Sequence, residues 1–226
     1  MNYKLNDFER YAISKGISTN TLSSYERNGF NNSYIEPYIL EERQLNVVSL
    51  SVFSRLFYDR ILFLGTGINS DVANIINAQL LYLNSVGEDD IKLFINSPGG
   101  SVYDGLSIYD TMNFITPEVC TYCMGMAASM GSILISSGAK GKRYSLPHGK
   151  VMIHQPSTSI GYIKSTDLLI EADEIKKCED TLYNILAENT GKSFDKIKEL
   201  CQHDKWYTAQ EAVDFGLIDE IVTKAN

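Results

Sequence analysis

The chain has 226 residues, 44% of them hydrophobic and 21% charged, enough apolar material for one large buried core or a domain with an appendage. Its 28 acidic against 20 basic residues give a formal charge of -8, which argues against nucleic acid as a partner, because phosphate binding wants a net basic surface or stripe. The opening residues, MNYKLNDFERYAISKG, carry charges where a secretory signal needs an apolar centre, and no apolar run reaches the roughly 18 residues of a membrane span, so a cytoplasmic protein is expected.

In chain order, residues 1–37 read as an N-terminal extension or pro-segment. They are dense in Asn and Ser, end near the turn-forming run NGFNNS, and hold one short amphipathic helix around Asp7 to Ser14. From Arg60 the pattern alternates strand and helix. ILFLG predicts a strand. SDVANIINAQLLYLNSV predicts a helix capped by Ser70, with Val72, Ile75, Ile76, Ala78, Leu80 and Leu83 on its apolar face. IKLFIN predicts a strand that stops at SPGGS, and a helix opens at Ser101 with Asp104 at capping-box spacing. VCTYCMGM predicts a strand, and ASMGSILISSGA a helix ended by Gly138. After KVMIHQP a long charged helix is expected, capped by Thr166 and stopped by Gly191. Two shorter helices follow, one near Phe194 to Cys201 and one opened by the capping box TAQE, Thr208 to Glu211. Strand alternating with helix predicts an α/β domain. The basic run Lys140 to Arg143 reads as a solvated turn.

Neither Gly-rich turns nor cysteines point to a cofactor or metal. GTGINS follows a strand but lacks the third Gly of a dinucleotide fingerprint, and no phosphate-loop GK[ST] occurs. Cys120 and Cys123 form a CxxC inside an apolar run, without a second ligand pair for zinc and without the strand-end placement of a redox motif. Free, mostly buried thiols are expected.

The chemistry concentrates around Ser129. It falls where a strand ends and a helix begins, and Ala127 and Gly131 reproduce the small-x-Ser-x-small spacing of a nucleophile elbow, with Ala in the first Gly's place. Plain strand–helix packing would also account for small residues there. A serine nucleophile needs a base, and the three histidines are His148, His154 and His203. His154 ends a strand as Ser129 does, whereas His148 sits in the turn LPHG, where exposure is expected. No Asp or Glu lies between Ser129 and His154, so a triad containing this pair takes its acid from elsewhere, and the order Ser, His, Asp stays open. Periodicity cannot choose among the downstream acids.

INSPGGSVYDGLSIYDTMNFI, MGMAASMGSIL, GAKGKR, LPHGKVMIHQP and YTAQEAVDFGLIDEIV together resemble the ClpP family, the proteolytic subunits of Clp proteases, from about Tyr38 to the C-terminus. The resemblance implies a ClpP/crotonase-type spiral α/β fold over 38–226, with a gate segment at about 38–53 and a protruding handle at about 155–191. It assigns Ser129 as nucleophile, His154 as base and Asp204 as acid, with the backbone N–H groups of Gly100 and Met130 as oxyanion donors. It implies a serine endopeptidase without cofactor, acting on unfolded proteins inside two stacked heptameric rings. An AAA+ unfoldase that uses ATP would feed those rings. Two departures stand out. STSIGYIKSTD follows HQP in place of the family's Gly-rich pattern and is one residue longer, and Gln202 and His203 replace a charged pair that links rings. Weaker or differently regulated ring pairing is therefore expected. Three other readings remain at this point: a crotonase-like acyl-CoA enzyme, a non-catalytic ring partner, and a hydrolase that uses His203 as base.

Overall fold

A computed structural model describes residues 38–43, 46–157 and 164–224. The expected helix around 7–14 and the stretch 158–163 of the handle lie outside the described residues. The chain divides into two compact units, 1–55 and 56–226. In the first, β1 (Tyr38–Arg43) and β2 (Asn46–Ser51) form an antiparallel hairpin in the register Tyr38 opposite Ser51. Helix α1 (Val52–Tyr58) carries the chain across the division.

The second unit is built on a sheet in the order β3 (Ile61–Leu64), β4 (Ile91–Ser97), β5 (Val119–Ala128), β6 (Arg143–Ser145), β9 (Glu220–Ile221), all parallel. Parallel strands need crossovers, and the helices α2 (Ser70–Val86), α3 (Val102–Phe114) and α4 (Met130–Ser136) supply them. Leu62, Leu64, Leu93, Ile95, Ile76, Leu80, Leu83, Ile108 and Leu134 close the core between sheet and helices. On the sheet, the alternate residues Phe63, Phe94, Tyr122 and Tyr144 stack across four strands, with ring centroids 5.4, 4.6 and 4.8 Å apart.

Strand β5 changes partners partway along. Its first half pairs with β6 (Thr121 to Cys123), and its last residues pair with β7 (Lys150–Ile153), Ala128 beside Met152. Between the halves, Gly125 adopts φ 94°, which an L side chain rarely tolerates, and a Cβ there would lie 2.7 Å from Asn96 Oδ1. That same oxygen accepts the Met126 N–H at 3.2 Å, which gives one amide of the bulge a side-chain partner. Antiparallel to β7 runs β8 (Lys205–Thr208). Helix α5 (Ser165–Thr190) is exposed along its N-terminal part and buries Leu182, Tyr183, Ile185 and Leu186 near its C-terminal end. Helices α6 (Phe194–Leu200) and α7 (Ala209–Phe215) complete the unit.

Several expectations need correction. Asn69, not Ser70, caps α2, its Oδ1 accepting the Val72 N–H at 2.9 Å, and Ile75 faces solvent while Ala73 is buried. Ala127 and Ala128 belong to β5, so α4 starts only at Met130. Gly138 does not provide a left-handed helix end; its missing Cβ makes room for Thr121, whose Oγ1 would lie 2.4 Å away. Thr166 lies inside α5, two residues past the cap Lys164, whereas Gly191 ends the helix as expected at φ 70°. Ser101 accepts the Asp104 N–H, but its own N–H goes to Ile68 O, so only half of a capping box forms there. The Thr208–Glu211 box is complete.

The run Lys140 to Arg143 is a solvated turn only at Lys140 and Gly141. Arg143 is 4% exposed; Nε and Nη2 donate to Asp219, and Nη1 donates to the carbonyls of Ser136, Asn189 and Gly216. Burial opposes the charge on Asp219, yet the hydrogen bonds from Arg143 hold its carboxyl below the ordinary range. Lys142 bridges Asp90 and Glu118. All four thiols are free, and three are buried. Burial pushes Cys120 and Cys123 up to about 11 and Cys201 up to about 12, which suits structural thiols and not reactive ones.

Candidate active site

The site is assembled by strand register. Ala128 pairs with Met152, and Ser129 N–H donates to Met152 O at 2.9 Å, so the residue after β5 lies beside the end of β7. On the other side of β7, Ile153 pairs with Lys205 in the antiparallel ladder. One step outward along that ladder, His154 faces Asp204. Three strand ends therefore present Ser129, His154 and Asp204 side by side, although 50 residues separate the last two in sequence.

The side chains meet at hydrogen-bond distance. His154 Nε2 lies 2.8 Å from Ser129 Oγ and His154 Nδ1 lies 3.0 Å from Asp204 Oδ1. The tautomer that satisfies both contacts has Nδ1–H donating to Asp204 and Nε2 accepting the serine O–H. The His154 side chain is 24% exposed and that of Asp204 is 61% exposed, so the imidazole is half sheltered and its acid partner faces water. His203 and His148 are exposed, and among the described residues the histidine bonded to Ser129 Oγ is His154.

Ser129 adopts φ 54° and ψ -122°, a conformation costing a non-glycine residue on the order of 1–3 kcal/mol. The surroundings hold it there. Besides the bond to Met152, its carbonyl accepts Ser132 N–H at 2.8 Å and Ser132 Oγ–H at 2.6 Å. Ser129 stands at the cap position of α4 yet makes no side-chain capping bond, which leaves its hydroxyl to His154. Ala127 and Ala128 are buried without bulk, and Gly131 would bring a Cβ to 3.2 Å from Ser97 O. The small residues thus let the SPGGS turn close onto the elbow.

That turn is fixed against Ser129 from the other side. A Cβ on Gly99, at φ 89°, would lie 2.6 Å from Ala128 O and 2.7 Å from Ser129 Cβ. Gly99 O accepts Ile68 N–H at 2.8 Å, and Ser101 N–H donates to Ile68 O at 3.0 Å, bracketing Gly100 in a bridge to the GTGINS loop. GTGINS, weighed in the sequence as a nucleotide turn, therefore serves here as a support for the SPGGS turn. No protein acceptor takes the N–H of Gly100 or of Met130 among the described residues, and Met130 N is the first amide of α4. Also among the described residues, no group of three or more His, Cys, Asp or Glu side chains is placed to hold a metal ion. Sequence reasoning missed the contributions of Ser132, which uses both its N–H and its hydroxyl, and of Ile68, which acts through backbone groups alone and leaves no residue-type signal.

The Clp protease family model matches residues 43–225, well over half of the chain. An ATP-dependent Clp protease proteolytic subunit of Bacteroides fragilis is 52% identical over 221 residues, 97% of this chain and 100% of that protein. Proteins of the same description from Bacteroides thetaiotaomicron and Porphyromonas gingivalis are 50% and 48% identical, each over 97% of this chain. Identity at that level over nearly the full length leaves one assignment: this chain belongs to the Clp protease family.

Proposed function

We propose that Ser129, His154 and Asp204 are the catalytic triad of this Clp-family serine endopeptidase, with Gly100 and Met130 N–H as oxyanion donors. The observation that carries the reading is the pair of contacts made by His154, 2.8 Å to the hydroxyl and 3.0 Å to the carboxylate. Ser129 Oγ attacks the peptide carbonyl carbon as His154 Nε2 takes its proton. Asp204 holds the resulting imidazolium, and the two N–H groups stabilise the oxyanion. His154 then passes the proton to the leaving amine as the C–N bond breaks. A water, deprotonated by the same nitrogen, attacks the ester and releases the acid, restoring the Ser129 hydroxyl. These steps use only groups of this chain and water.

Comparison of His154→Ala with His203→Ala tests the assignment of the base. Hydrolysis of a short fluorogenic peptide is expected to fall by about 10³-fold or more for His154→Ala and to stay within about threefold for His203→Ala. The reverse order would move the base to His203. Fluorophosphonate labelling of Ser129 separates this reading from an acyl-CoA enzyme or a non-catalytic ring partner, neither of which needs an activated serine.

Because the relatives are proteolytic subunits of an ATP-dependent Clp protease, we infer that a Clp-type ATPase partners this chain, and we propose that it delivers unfolded substrates to it in the cytoplasm. No helix among the described residues is long and apolar enough to cross a membrane. The working assembly is two stacked heptameric rings, with 38–53 at the axial gate and α5 in the handle between rings. Because Gln202 and His203 replace a charged pair there, the double ring is expected to dissociate on dilution in high salt. Light scattering or sedimentation checks this, and a double ring that survives both overturns it.

A further inference from the structure

We infer that Ser97 is a positioning residue for the oxyanion site: its hydroxyl latches the Gly99–Gly100 turn so that the Gly100 N–H stays aimed beside Ser129. This rests on the triad reading above. Gly99 and Gly100 lack a Cβ to bias the peptide that joins them, and rotation of that peptide would exchange the Gly100 N–H for the Gly99 carbonyl. One bond acts on that peptide directly, and a second anchors the Pro98–Gly99 peptide from which it would turn. Ile68 N–H holds Gly99 O at 2.8 Å, and Ser97 Oγ accepts Gly99 N–H at 3.1 Å. The first is backbone to backbone. The second comes from the one side-chain oxygen among the described residues that is bonded to Gly99 or Gly100.

Ser97 is suited to the task. It is the last residue of β4 and 0% exposed, so its hydroxyl is shielded from competing water. Its backbone pairs with Ala127, two residues before the nucleophile, past the register shift after Ile95. A Cβ on Gly131 would meet both Ser97 O, at 3.2 Å, and Ser97 Cβ, at 3.7 Å. One residue therefore abuts the elbow and the oxyanion turn together. Without the hydroxyl, the Gly99 N–H loses its acceptor in a buried position, and the Gly99–Gly100 peptide is left to the Ile68 bonds alone, so its donor-out geometry is less firmly held.

Ser97→Ala tests this in the assembled enzyme with a fluorogenic peptide. The expected result is a fall in kcat of about 10- to 100-fold, a fraction of what loss of a whole oxyanion donor brings, with KM within about twofold. A peptide boronate, whose serine adduct places an oxygen in the oxyanion site, should weaken by the same factor as kcat/KM, while a product peptide binds unchanged. Ser97→Cys keeps the volume with a poorer acceptor and should fall between parent and Ala, which keeps the test open if the Ala variant folds badly. A kcat within twofold for Ser97→Ala, or equal weakening of boronate and product peptide, overturns the latch. If Ser129→Ala is dead while Ser97→Ala is unaffected, the latch alone fails; turnover by Ser129→Ala overturns the reading beneath it.

Discussion

Replacing Ser129 by Ala is expected to slow peptide hydrolysis by on the order of 10⁴–10⁶-fold. The change removes one oxygen and little else. The bonds that hold the elbow run through the backbone of residue 129, from its N–H to Met152 and to its carbonyl from Ser132, and Ala keeps both. Ala also bears the same φ 54° that Ser bears, so the fold has no new strain to absorb. The loss should therefore appear in kcat while assembly size and unfolding midpoint stay at parental values. Residual turnover would come from the Gly100 and Met130 N–H groups acting on an attacking water, which alone contribute far less than a positioned nucleophile. Peptide assay, fluorophosphonate labelling and sizing on the same sample read the three quantities together. Activity within tenfold of parent would end the serine mechanism for this chain.

The second large effect lies away from the chemistry. Arg143→Met should cost about 3–5 kcal/mol of unfolding free energy, read by denaturant titration, because it strands the Asp219 carboxylate. It also removes the donor to the carbonyls of Ser136, Asn189 and Gly216, at the ends of α4, α5 and α7. The pH dependence has a definite sign. A carboxyl held below its ordinary value near 3.8 adds stability that is fully present above that value, and the contribution is lost as pH falls from there through the lowered folded-state value. The parent should thus lose this increment under acid, and Arg143→Met, which no longer has it, should show a shallower acid limb. Adding Asp219→Leu should recover part of the loss by removing the stranded charge. Recovery stays incomplete because three carbonyls still lack their donor.

Arg143 also shows where a linear reading stops. A cationic run reads as surface unless its partner is known, and Asp219 lies 76 residues downstream. The same holds for the stacked Phe63, Phe94, Tyr122 and Tyr144, which come together only through sheet order. Local features were more legible. The helix 70–86 was legible from its apolar spacing, yet its start shifted by one residue to the cap Asn69, because Asn and Ser are equally good caps and adjacent here, and Ile75 and Ala78 turned out exposed. Ala127 and Ala128 have no periodicity of their own, so their membership in β5 depended on β7 arriving beside them. For the site, strand ends and small flanks singled out Ser129 and His154. Asp204 was beyond periodicity, since its proximity to His154 is a property of the β7–β8 register; resemblance to a family supplied it.

That register has a consequence for length variation. His154 and Asp204 are set opposite one another by four consecutive ladder pairs, Lys150 with Thr208 through Ile153 with Lys205. None of the four pairs draws on the residues from 157 to 167. Insertions and deletions there leave those pairs in place, so the acid and base can still meet at the same spacing. The ladder works as a clasp that separates the tempo at which the outward segment can change from the tempo permitted to the chemistry.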